Sequence, residues 1–180
     1  MTSTQHEHIS KKRILYTVPG MDNVIVRRDH EYAGRETGSL TMDLYYPADA
    51  GHRALPPAVV FVTGFSDAGA QRMLGCKFKD MGSYISWAEI VAASGMVGIT
   101  YENMEPASDA QAALDHVREH ASQLGIDGTR IAVWSCSGNV PTALSLLTRR
   151  PAGLNLAVLC YGSAIVGTIL TALLTLRVWP

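Results

Sequence analysis

Neither sign of charge predominates in this chain: 15 Lys and Arg stand against 16 Asp and Glu, a formal net charge of −1 over 180 residues. Without a basic stripe there is no electrostatic footprint for a phosphate backbone, which sets nucleic acid aside as a partner. Cysteine is scarce. Cys76, Cys136 and Cys160 are the three present, with no C-x-x-C spacing, so neither a disulfide framework nor a zinc ribbon is indicated and a reducing cytoplasm is the expected compartment. Met1 to Lys12 contain no apolar segment and read as a flexible tail rather than a secretory signal. No charged residue occurs from Pro151 to Leu176, a length that could cross a bilayer. Gly153, Gly162 and Gly167 interrupt that run, and Leu156–Tyr161 within it reads as a sheet strand, so a membrane span is not expected. No internal repeat or low-complexity segment is present.

What remains is ordinary globular composition, 47% apolar and 17% charged, with residues 13–180 expected to form a single domain. Val24-Ile25-Val26 and the alternating Leu40–Tyr46 read as antiparallel edge strands. After a Pro- and Gly-punctuated loop, Ala58–Val62 is apolar on both faces, the mark of a buried strand. Residues 68–82, with several glycines, Lys77 and Lys79, read as an irregular connection. Tyr84 to Ser94 reads as a short helix stopped by Gly95, and Met96–Thr100 as the next strand. Ser108 and Gln111 form a capping-box pattern that starts a helix near Asp109, with apolar residues at helical spacing as far as Gly125. A strand at Ile131–Trp134, a helix around Thr142–Arg150 and a strand at Leu156–Tyr161 follow. Alternating units of this kind predict an α/β fold: a mostly parallel sheet with helices on both faces and sites beyond the carboxyl ends of the strands.

At one such end lies Arg130-Ile131-Ala132-Val133-Trp134-Ser135-Cys136-Ser137-Gly138-Asn139, a strand that breaks into small residues before a helix. A sharp turn there lifts one side chain clear of the sheet, provided that the residues two places to either side are small. Centring on Cys136 puts Trp134 at the crowded upstream place and centring on Ser135 puts Val133 there, whereas centring on Ser137 puts Ser135 upstream and Asn139 downstream. Ser137 fits best, and Asn139 tolerates unusual backbone angles better than most residues.

The stretch resembles the nucleophile elbow of α/β-hydrolases, in particular the dienelactone-hydrolase and esterase branch. Dienelactone hydrolases proper use a cysteine, which keeps Cys136 as a rival, although Trp134 argues against that centring. The resemblance covers about Leu40 to Tyr161, the first six strands of an eight-stranded family, and Thr63-Gly64-Phe65-Ser66-Asp67 resembles its oxyanion-hole loop. It implies a serine hydrolase acting on an ester or similar acyl substrate: Ser137 as nucleophile, backbone N–H groups of Gly138 and Phe65 as the oxyanion hole, and no cofactor or metal. A serine hydroxyl needs a base oriented by a carboxylate, and the family order places the acid and then the His after the nucleophile. No Asp, Glu or His follows Ser137, so the acid and base are unassigned. The alternative is an inactive, C-terminally truncated hydrolase fragment or a non-enzymatic binding module. Such a chain would leave Leu156–Tyr161 as an exposed sheet edge, open to self-association.

His116-Val117-Arg118-Glu119-His120 has the H-x-x-E-H spacing of inverted zinc peptidases, but both His sit at or outside the rim of the apolar stripe and read as a solvated helix face. His6, His8, His30 and His52 read as surface residues, and Glu102, just past a strand end, as a solvated loop anion.

Overall fold

The computed structural model describes residues 8–160, apart from 37, 52, 53 and 150. Its elements are β1 Ile25–Arg35, β2 Gly38–Tyr46, β3 Ala58–Phe61, α1 Asp67–Leu74, α2 Gly82–Ala93, β4 Val97–Tyr101, α3 Pro106–Glu119, β5 Ile131–Cys136, α4 Val140–Thr148 and β6 Leu154–Cys160. The six strands form one sheet in the order β1-β2-β4-β3-β5-β6, with β1–β2 and β2–β4 antiparallel and the other three pairs parallel. The α/β expectation therefore holds. One detail differs: β2 lies between β1 and β4 rather than at an edge, and Met42, Leu44 and Tyr45 in it are fully buried.

Period-two alternation in the strands divides the core into two layers. Val60 and Val62 point to the side that α3 and α4 cover, where they join Leu44, Ile99, Leu114 and Val133. Val59 and Phe61 point to the opposite side and pack with Tyr45, Phe78, Tyr84 and Ala88 under α2. That helix lies very close to the sheet: a Cβ on Gly98 would come within 2.7 Å of the Ala88 carbonyl oxygen. Only glycine leaves room for the contact.

Three local expectations are corrected. Residues 68–82 are not irregular throughout, because α1 begins there with the Ser66 hydroxyl accepting from the Gly69 N–H, and ends at Gly75 in the left-handed region. These are ordinary helix stop and start devices, hidden in a short segment that is polar on average and rich in glycine. The helix expected to start near Asp109 starts at Pro106. Asp109 sits inside its first turn, and Oδ2 accepts from the N–H groups of Met104 and Glu105 at 2.7 and 2.8 Å, while Oδ1 pairs with Arg35. Finally, one residue of the expected tail, Ser10, is buried, while Ile9, Lys11 and Lys12 are exposed. Ile9–Lys11 form a 3-10 turn with Ser10 buried, and the carbonyls of Lys11 and Lys12 lie so close to Gly82 that a Cβ there would clash. Residues 1–7 lie outside the described residues.

Candidate active site

The turn from β5 into α4 is a 3-10 segment, Ser137–Asn139. Ser137 has φ +53°, in the left-handed region that β-carbon sterics disfavour. Cys136 before it is extended at φ −139°, and Asn139 after it is ordinary right-handed helix at φ −85°. Of the residues considered for the apex, Ser137 alone carries the strained backbone. Below it Ser135 is fully buried and donates its hydroxyl to the Val62 carbonyl at 3.1 Å, tying β5 to β3.

Asn139 is there for its side chain rather than for backbone tolerance. Its Oδ1 accepts from the Gly64 N–H at 2.7 Å and its Nδ2 donates to the Tyr84 hydroxyl at 3.0 Å. The loop after β3 is thereby pinned to the elbow. Contact is close: a Cβ on Gly64 would lie 2.8 Å from Asn139 Cα, and one on Gly138 would lie 3.0 Å from the Phe65 ring. The Gly64 N–H is engaged by Asn139, whereas the N–H groups of Phe65 and Gly138 have no hydrogen-bond acceptor among the described residues.

A second set of contacts holds this loop from behind. Thr63 N–H donates to the Tyr101 hydroxyl at 3.4 Å, and Asn103 Nδ2 donates to Thr63 Oγ1 at 3.0 Å. Asp67 N–H donates to the Asn103 carbonyl at 2.9 Å, while Asn103 N–H donates back to Asp67 Oδ2 at 3.0 Å. Burial pushes the Asp67 carboxyl up to about 6, against the lowering pull of its Asn103 hydrogen bond. Asp67 Oδ1 and Asn103 Oδ1 are both buried acceptors with no donor among the described residues. Sequence reasoning missed Asn103 and Tyr101, and named Asp67 only as the last residue of the Thr63–Asp67 loop. The only available hint was their position at or just past the carboxyl ends of β3 and β4.

Ser137 opens into a cavity of roughly 420 Å³ whose walls are mainly apolar, lined by Phe65, Phe78, Tyr84, Trp87 and Trp134 among others, with Cys136, Gly138 and Cys160 also in the lining. The aromatic rings brace one another, with centroids of Tyr84 and Trp134 6.2 Å apart and edge-on and those of Trp87 and Trp134 5.9 Å apart. Among the described residues, no charged residue and no histidine lines it.

The other candidates lie elsewhere. His116 and His120 are not a solvated face: their rings stack at 4.3 Å, and His116 Nε2 is 3.1 Å from Nε2 of His30 on β1. Burial holds the His30 and His116 imidazoles below the ordinary value. Among the described residues no group of three or more His, Cys, Asp or Glu is arranged to hold a metal ion. His8 accepts from the Ser10 N–H, and His6 and His52 lie outside the described residues. Glu102 is not a free loop anion either. Its carboxylate takes Lys77 Nζ at 2.5 Å and the Thr41 N–H at 3.2 Å, beside the buried Lys79. No helix among the described residues is long and apolar enough to cross a membrane.

No protein-family model matches the sequence, and no curated protein is significantly similar to it. Solved structures do match. The native esterase Est2 of the planctomycete Thermogutta terrifontis superposes with a TM-score of 0.57 at 22% identity, over 80% of this chain and 55% of its own. Bacterial heroin esterase matches with a TM-score of 0.54 at 19% identity, over 77% of this chain and 44% of its own. Brefeldin A esterase, a bacterial homologue of human hormone-sensitive lipase, matches with a TM-score of 0.54 at 19% identity, over 79% and 40%. This chain spans about half the length of those proteins. What such distant likeness carries is the fold, and the fold is that of the α/β-hydrolases.

Proposed function

We propose that this chain belongs to a serine hydrolase acting on a small-molecule ester, with Ser137 as its nucleophile. The observation that carries the reading is the strained Ser137 backbone at the apex of the β5–α4 turn, opening into an apolar cavity beside Gly138 and Phe65. Ser137 Oγ would attack the ester carbonyl carbon and the carbonyl oxygen would gain negative charge. The N–H groups of Gly138 and Phe65 would meet that charge, each such donor contributing a few kcal/mol in enzymes of this type. The apolar walls favour an uncharged acyl or alkoxy group, aromatic or branched, since burying an unpaired charge there would be costly.

The Oγ proton needs an acceptor, and among the described residues the cavity walls offer no carboxylate and no imidazole. Turnover by these 180 residues is therefore expected near the level that triad enzymes keep after losing a member, about 10³ to 10⁴ over water. Two measurements test the reading. A fluorophosphonate probe should label Ser137, and Ser137→Ala should abolish the adduct; labelling at Cys136 instead would sink the assignment. Added imidazole should accelerate hydrolysis of a p-nitrophenyl ester by the wild type beyond the rate with Ser137→Ala, because a diffusible base replaces the one that the cavity does not supply.

A further inference from the structure

We infer that Cys136 and Cys160 form a cross-strand dithiol in the cavity wall that takes small-molecule disulfides and closes reversibly on itself. The two are direct register partners at the last described rung of the parallel β5–β6 ladder. Neighbouring strands lie about 4.8 Å apart, inside the roughly 4.4–6.8 Å Cα separation that a disulfide bridges. Register partners in a parallel pair project to the same face of the sheet, and both residues line the cavity that holds Ser137. Neither is in a disulfide and both are half-buried, so a reagent entering the cavity reaches either. The third cysteine, Cys76, follows α1 and is not part of the cavity wall.

The chemistry is thiol–disulfide exchange. One of the two thiolates attacks a sulfur of the entering disulfide, forming a mixed disulfide and expelling one small thiolate. The neighbouring cysteine, as thiolate, then attacks the mixed disulfide at the protein sulfur, forming the Cys136–Cys160 bond and expelling the second small thiolate. Two protein thiols are oxidised, one small disulfide is reduced to two thiols, and the two protons released are taken up by those products or by solvent. The inference goes beyond the hydrolase reading and does not depend on it.

The test uses the full chain and 2-hydroxyethyl disulfide, which is uncharged and suits the apolar cavity. Peptide mapping after an acid quench should show one Cys136–Cys160 cross-linked peptide, two hydrogens lighter than the reduced pair, and no adduct retained on either cavity cysteine, all reversed by dithiothreitol; in Cys76→Ser the intact mass should fall by two hydrogens. Cys136→Ser and Cys160→Ser should each stop at a stable mixed disulfide on the remaining cavity cysteine, while Cys76→Ser closes as the wild type does. Adducts retained on both cavity cysteines of the wild type, a cross-link to Cys76, or no reaction at either cavity cysteine would overturn it. A chain that closes this bond but is not labelled at Ser137 keeps this inference and loses the hydrolase reading. One that is labelled but never closes does the reverse.

Discussion

At the scale of single residues, the site depends on a few side chains whose value comes from what they meet across the fold. Asn139 was legible as a residue that suits a tight turn, yet its work is to bind the Gly64 N–H and the Tyr84 hydroxyl, and both partners are more than fifty residues away. Asp67 is the sharper case. It gives up solvent to brace the loop after β3, and its folded-state carboxyl titrates near 6 against about 3.9 when unfolded. The native state therefore holds its proton more tightly than the unfolded chain. This contribution to stability is full below about 4 and is lost as pH rises towards 6, amounting to roughly 2–3 kcal/mol on the usual conversion. Asp67→Asn removes the titration and supplies a donor beside acceptors that otherwise have none. The difference in stability between variant and wild type should therefore rise in the variant's favour from pH 4 to pH 6 and then level off, measured by urea unfolding at closely spaced pH. A difference that stays flat across that range would show that the carboxyl is not buried as described.

At the scale of elements, α2 and α4 were found from their wealth of apolar residues and α3 from its apolar spacing, whereas the short, largely polar α1 was missed. α1 is short and marked chiefly by Ser66 and Gly75, and α3 starts at a proline with a buried carboxylate reaching back, which a capping-box search reads three residues late. Packing between elements sets clear expectations. Gly98→Ala should destabilise the protein by about 1–3 kcal/mol, because the new Cβ meets the Ala88 backbone and pushes α2 off β4; a chemical-denaturation midpoint unchanged from wild type would count against the close contact. Where β1 meets α3, His30 and His116 are both held below the ordinary imidazole value, with Arg27 and Glu31 on one side and Glu119 and His120 on the other. Their folded values are depressed, so the stability they contribute is present above about 6.5 and lost as pH falls below it, when the unfolded chain takes up protons that the folded one resists. Hydrogen exchange of β1 amides, corrected for intrinsic rates, should accelerate from pH 7 to pH 5.5 in the wild type and less so in His30→Gln. Equal acceleration in both would remove the pair as its cause.

At the scale of the whole molecule, one side of the sheet is incompletely covered by the described residues. Trp134 on β5 and Val158 beside it on β6 share a face with Leu156, and Val158, Leu156 and Trp87 remain about two-fifths exposed. Among the described residues no strand pairs the outer edge of β6. An apolar face next to an open edge is a template for association, and the purified chain is expected to self-associate. Light scattering should show mass rising with concentration, and Val158→Lys should lower it; a monomer at high concentration in both would dismiss the surface as an interface. Sequence alone determined the alternation of strands and helices apart from α1, the two-sided core and the turn that centres on Ser137, because alternation, helical spacing and a run of small residues are properties of neighbours in the chain. Only the tertiary structure decided that Gly64, Asn103 and Tyr101 hold the loop beside that serine, that the H-x-x-E-H histidines pair with His30 away from the cavity, and that Cys136 and Cys160 share one wall. Those pairings join residues from 24 to 86 positions apart, and which of them meet is set by strand order and register, which no local pattern encodes.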